Sequence, residues 1–107
     1  MNERSDQLNN QIQITEEDLH PHLKARMLQR GITFREIEQT VNDGWSASDA
    51  KTGTFGKVMV FLFHDEWEGR FYHEKEVTVY YRFVGEGLVL LTAKARYGEN
   101  FPRGESG

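Results

Sequence analysis

Two hydrophobic rhythms divide the chain near Gly44. Before it, apolar residues recur every three or four positions; after it, they alternate with polar ones. Leu23 and Met27, with Leu19 extending them, form an apolar stripe that predicts a helix from Pro21 to Arg30. The run Thr15 to Asp18 looks like a helix start, but Pro21 would then fall inside that helix. Proline there removes a hydrogen bond and clashes with the preceding turn, whereas it suits the first helical position. Residues 15–19 are therefore expected as an irregular turn, and Gly31 as the stop, since it enters the left-handed region cheaply. Thr33 and Glu36 have the spacing of a capping box, and Ile32 and Ile37 that of a hydrophobic staple. Phe34, Ile37 and Val41 continue a second helix to Asp43-Gly44. The very short link predicts a tight helix hairpin.

The alternating half reads as strands. Lys57 to His64 places Val58, Val60 and Leu62 on one face and Met59, Phe61 and Phe63 on the other. With both sets apolar, a central strand covered on both sides is expected. Asp65 to Arg70 reads as a polar loop. From Lys75 to Val84, Val77, Val79, Tyr81 and Phe83 are expected to face the core, with Glu76, Thr78, Tyr80 and Arg82 facing away. Gly85-Glu86-Gly87 is a hairpin turn and Leu88 to Ala95 the last long strand. Gln11 to Ile14 alternates as a short edge strand would. The expected architecture is α+β: a two-helix hairpin packed on a curved antiparallel sheet of three or four strands. It spans residues 11–101, between a disordered lead over 1–10 and a flexible tail over 102–107.

A chain of 107 residues matches one domain. Almost all aromatic residues lie after Phe34, so the core is expected mainly from the C-terminal two thirds. With no cysteine, disulfides and thiolate metal sites are excluded. No apolar run approaches the ~20 residues of a membrane helix, and Met1 to Asn10 lacks the apolar stretch of a signal peptide. A cytoplasmic location is the simplest expectation. The net charge of −4 argues against a sequence-independent nucleic-acid coat. Charge is uneven: residues 1–44 hold five Lys/Arg against eight Asp/Glu, whereas residues 57–103 hold seven of each.

No phosphate-binding glycine loop, nucleophile elbow, zinc signature or cofactor motif is present. Four weaker constellations remain. His22, Arg26 and Arg30 share one side of the first helix, where they can hold a phosphate or pair with Glu38 or Asp43. Lys94 and Arg96 share a strand face behind Thr92, about 7 Å apart. Two cations there suit a phosphodiester, or else serve as a solubilising strand end. His64, His73 and Lys75 flank the expected loop, where a base and a charge stabiliser can act on RNA, or they are simply surface residues. His20 and His22 lie near Glu16, Glu17 and Asp18, but no third metal ligand is well spaced, so no metal is expected.

Two segments carry a resemblance. One is His22, Arg26-Met27, Arg30-Gly31-Ile32 and the following Glu36-Ile37-Glu38. The other is Glu76-Val77-Thr78-Val79-Tyr80-Tyr81, ahead of a strand ending Thr92-Ala93-Lys94-Ala95-Arg96-Tyr97-Gly98. Together they resemble a bacterial and cyanobacterial domain family of unknown function, over about residues 18–101. That family is similar in layout to RelE and BrnT toxins, small ribonucleases of toxin–antitoxin pairs. The resemblance implies mRNA as substrate, a cognate antitoxin as partner, and chemistry by Lys, Arg and Tyr near the sheet. On that reading Lys94 and Arg96 stabilise the phosphorane, Lys75 or His73 assists proton transfer and Tyr80 stacks a base; Arg82 joins His22, Arg26 and Arg30 as anion contacts. The competing expectation is a non-catalytic interaction module, with Tyr80 and Trp67 as its docking surface.

Overall fold

The computed structural model describes residues 12–104. The expected lead over 1–10 and the last three residues of the expected tail lie outside the described residues. A single 3-10 turn at Glu16–Asp18 leads into α1 (Pro21–Arg30) and α2 (Phe34–Asp43). Four strands follow: β1 (Trp45–Ser46), β2 (Phe55–Trp67), β3 (Arg70–Val84) and β4 (Gly87–Gly98). They form one antiparallel sheet in the order β1-β2-β3-β4. The helices pack on it, α1 against β4 and α2 against β2 and β3.

The helix boundaries have the local causes expected of them. Pro21 opens α1, and Gly31 closes it at φ 70°. At α2 the Thr33 hydroxyl accepts from the Glu36 N–H at 3.1 Å, while the Glu36 carboxylate accepts from the Thr33 N–H at 3.0 Å. Two of the donors orphaned at a helix start are satisfied this way. A second capping box, Thr15 with Asp18, shapes the 3-10 turn.

The core is mainly aliphatic. Leu23, Ile37, Val77, Val79, Leu90 and Ala93 are wholly buried, and Ile14, Leu19, Ile32, Val41 and Tyr81 complete it. Tyr81 is the one aromatic residue in this cluster, and the Phe34 and Phe61 rings pack against it.

Four expectations are corrected. Residues 12–14 form no strand: Asn42 of α2 instead accepts from the Ile12 N–H and donates to its carbonyl, clamping the segment as extended coil. There is no loop over 65–70. Strands β2 and β3 run on to Trp67 and Arg70, joined by Glu68 and Gly69 alone, with φ 52° and 84°. Positive φ at both turn positions matches the twist of a two-residue hairpin. Strand β2 is not covered on both faces along its length, since Leu62 is exposed. Phe83 is half exposed, its ring edge-on to those of Tyr81 and Phe55 rather than enclosed in the core.

Two bulges modify the pairing. In β2, Phe63 and His64 fall between the pairs Leu62–Glu74 and Asp65–Tyr72, with His64 at φ 47°. In β4, Leu91 is the extra residue between Tyr80–Thr92 and Tyr81–Leu90. Such insertions bend a strand and increase its twist, which curves the sheet.

Candidate functional site

The face of the sheet turned away from the helices carries a hollow of about 570 Å³. Its floor comes from β3 and β4. Register places Thr78 opposite Lys94, Glu76 opposite Arg96, and Tyr80 opposite Thr92. Alternation puts all six on one face, so the sequence reading of Lys94 and Arg96 as a shared row holds. One wall is the segment from Trp45 to Asp49, and the other is Pro102 to Gly104.

At one end, Tyr80 donates its hydroxyl hydrogen to the Asp49 carboxylate, with oxygens 2.8 and 3.0 Å away. Lys94 lies 3.6 Å from Asp49, and its ammonium stands 5.4 Å from the centre of the Tyr80 ring. The hydrogen bond from Tyr80, assisted by Lys94, lowers the Asp49 pKa below its ordinary 3.8. Desolvation raises Tyr80 above 10.0, so the phenol is neutral at physiological pH. Lys94 is held above 10.5, first by the Tyr80 hydroxyl and further by Asp49.

At the other end, Arg96 donates from Nε to Glu76 at 2.8 Å. Its guanidinium carbon lies 4.9 Å from the centre of the Phe101 ring. Phe101 belongs to the segment after β4, which turns back at Asn100 (φ 62°). The Phe101 N–H donates to Glu74 at 2.9 Å, and Arg103 reaches the same carboxylate at 3.0 Å. These contacts, the backbone N–H foremost, lower the Glu74 pKa from 4.5.

The remaining expected site residues lie elsewhere. Lys75 faces the helices: it donates to the Gly31 carbonyl and to Glu36, and its ammonium lies 5.5 Å from both the Phe63 and Tyr97 ring centres. A buried, fully engaged lysine cannot assist proton transfer in the hollow. The cause is alternation, which sets Lys75 on the face of Val77 and opposite to Glu76. His73 lies near the β2–β3 hairpin, 5.0 Å from His64 between ring centres and 3.7 Å from Glu99. His64 and His73 thus do meet, as expected, but without Lys75.

The helical anion stripe is also not assembled. His22 stacks on His20, and Arg26 is exposed on α1. Arg30 pairs with neither Glu38 nor Asp43; it donates to the Ala93 carbonyl at 2.6 Å and ties α1 to β4. Arg82 is exposed near the β3–β4 turn, outside the hollow. Trp67 is not a free docking ring, because it stacks on Tyr97 at 5.1 Å beside Gly31. Among the described residues, no cluster of three or more His, Asp or Glu is arranged to hold a metal ion. No helix among them is long and apolar enough to cross a membrane.

Sequence reasoning missed Asp49, Glu76, Phe101 and Arg103. Asp49 sits in a polar Ser-Ala-Ser-Asp stretch that reads as an ordinary loop, and Phe101 and Arg103 lie at the edge of the expected tail. For Glu76 and Arg103 the available signal was the equal number of acids and bases over 57–103, which foretells pairing; Asp49 lies outside that span and Phe101 carries no charge. Comparison with known proteins finds no match: no family model, no curated protein and no solved structure corresponds to this chain.

Proposed function

We propose that the protein is RNA-directed, taking a phosphodiester in the hollow of the outer sheet face and cutting the strand there as a toxin-type endoribonuclease. The observation that supports this reading is the convergence of Tyr80, Lys94 and Arg96 on one cavity. Fixed cations beside a phosphorus centre stabilise the charge that develops in its transition state. With Lys75 and His73 elsewhere, proton transfer falls to Asp49 and Tyr80. The 2′-oxygen attacks phosphorus and gives its proton to Asp49. The bond from phosphorus to the 5′-oxygen breaks, and that oxygen takes the Tyr80 proton, which Tyr80 turns away from Asp49 as the carboxylate is protonated and then recovers from it. The products are a 2′,3′-cyclic phosphate and a 5′-hydroxyl end. Asp49 is a weak base and Tyr80 a weak acid, given the directions of their shifts, so cleavage on this reading is slow.

The test is purified protein incubated with end-labelled single-stranded RNA. The expected result is cleavage with cyclic-phosphate ends, reduced about 100-fold by Lys94→Ala/Arg96→Ala. RNA bound but left whole would remove the nuclease, and RNA neither bound nor cut would remove the whole proposal.

A second reading, a non-catalytic interaction module, draws on a different observation. Phe55, Phe83 and Val84 are about half exposed at one end of the sheet, with the Phe55 and Phe83 rings 5.6 Å apart. Clustered apolar exposure of this kind marks docking surfaces. On this reading RNA is untouched, and Phe83→Asp abolishes binding of a stoichiometric partner protein.

A further inference from the structure

Resting on the phosphodiester reading of the hollow, we infer that the site selects a singly charged diester over a doubly charged phosphate monoester. The terminal nitrogens of Arg96 form its fork, and Glu76 and Phe101 act as positioning residues. The inference starts from how Arg96 is held. Its Nε is committed to Glu76, whose side chain is only 13 % exposed. The guanidinium carbon lies over the Phe101 ring, 4.9 Å from its centre. No hydrogen bond joins the two terminal nitrogens to the other described residues. Although its side chain is 63 % exposed, an arginine bonded at Nε and lying beside a ring is oriented at that end, while its fork can still receive two oxygens. Phe101 can play this part because Glu74 pins its backbone N–H.

Selection by charge follows from the neighbours. Lys94 is paired with Asp49, Arg96 with Glu76 and Arg103 with Glu74. Three cations and three carboxylates leave no net positive charge to offset a dianion. A monoanion gains the directed hydrogen bonds of the fork without that repulsion. A monoester at pH 8 carries two charges, since its second ionisation lies near pH ~6. An internal diester of a nucleic acid carries one.

The experiment titrates the whole protein at pH 8 with thymidylyl-thymidine or with thymidine 5′-monophosphate, following the Arg96 side-chain N–H resonances. The first probe holds one diester and no 2′-hydroxyl, so it cannot be cut. It is expected to shift Arg96 and to bind at least about tenfold more tightly than the monophosphate. Glu76→Gln keeps an acceptor for Nε but removes a negative charge, so it should strengthen monophosphate binding and narrow the ratio. A purely structural Glu76 would weaken both ligands alike. Phe101→Leu should weaken the diester, and Phe101→Tyr should restore it. Monophosphate binding as tight as the diester, with Arg96 shifting, would overturn the selectivity and leave the hollow an anion site. Arg96 unmoved by either probe would overturn this inference and the phosphodiester reading together. A Phe101→Leu protein that binds as the wild type does would remove Phe101 from the positioning role.

Discussion

The Lys75 ammonium lies 2.8 Å from the Glu36 carboxylate, beneath the turn that joins α1 and α2. Lys75 is 2 % exposed, and it also donates to the carbonyl of Gly31. Glu36 serves twice, as the capping residue of α2 and as the partner of this cation. One side chain from the sheet therefore secures the end of one helix and the start of the next.

Replacing Lys75 by Met should cost about 3 kcal/mol, since it strands a carboxylate at a partly buried position and orphans a carbonyl. Chemical denaturation would measure it. A Glu36→Gln/Lys75→Met double variant should lose less than the sum of the two singles, because the groups act on each other. Diester binding in the hollow should survive in the folded fraction, as Lys75 is on the opposite face.

Gly31 and Gly69 separate strain from crowding. Both have positive φ, 70° and 84°. A Cβ on Gly31 would stand 2.5 Å from the Trp67 ring and 2.8 Å from the Tyr97 hydroxyl, whereas one on Gly69 meets nothing within 4 Å. Gly69→Ala should cost about 1 kcal/mol, from conformation alone. Gly31→Ala should cost about 2–4 kcal/mol, since packed aromatic groups must also move. Equal losses in thermal melts would refute the packing given to Trp67.

Acid should loosen the segment after β4 before it unfolds the domain. Glu74 has its pKa lowered in the folded protein, chiefly by the Phe101 N–H and then by Arg103. A depressed carboxylate contributes stability that is complete above its unfolded value of 4.5 and is lost as pH falls through the folded value. The Phe101 amide should therefore keep its shift down to pH 4.5 and lose it only below. Glu74→Gln should abolish that step, and an amide that moves well above 4.5 would contradict the assignment.

Much of the helical half was legible because its signals are local. Pro21, Gly31 and the pair Thr33–Glu36 each dictate their own backbone, and all four do so here. The β2–β3 hairpin was misread for the opposite reason. Asp65, Glu66 and Glu68 look like loop, yet pairing with Phe71 and Tyr72 holds the first two in a strand. Tertiary partners override local preference in strands more readily than in helices.

The hollow was half legible. Alternation alone puts Lys94 and Arg96 on one face, but it takes the β3–β4 register and the bulge at Leu91 to turn that face away from buried Leu90 and beside Tyr80. The same alternation sets Lys75 apart from Tyr80, since an odd and an even position on one strand point to opposite faces. What no periodicity carries is the return of the chain at Asn100, which brings Phe101 and Arg103 over Glu74. Nor does it reveal that Asp49 meets Tyr80 across the sheet.

The rims of the sheet are unequal. Along β4, Leu19 bridges to Leu90 and Arg30 occupies the Ala93 carbonyl, whereas β1 and the Ala47 after it shield β2 from Gly56 to Val58, leaving the stretch from Met59 to Trp67 without a strand partner on that side among the described residues. Edgewise growth into a fibre needs two receptive sides on every copy. With the middle of β4 engaged at Leu90 and Ala93, the longer open run lies on β2, so edgewise association is expected to favour a pair joined β2 to β2 over an extended polymer.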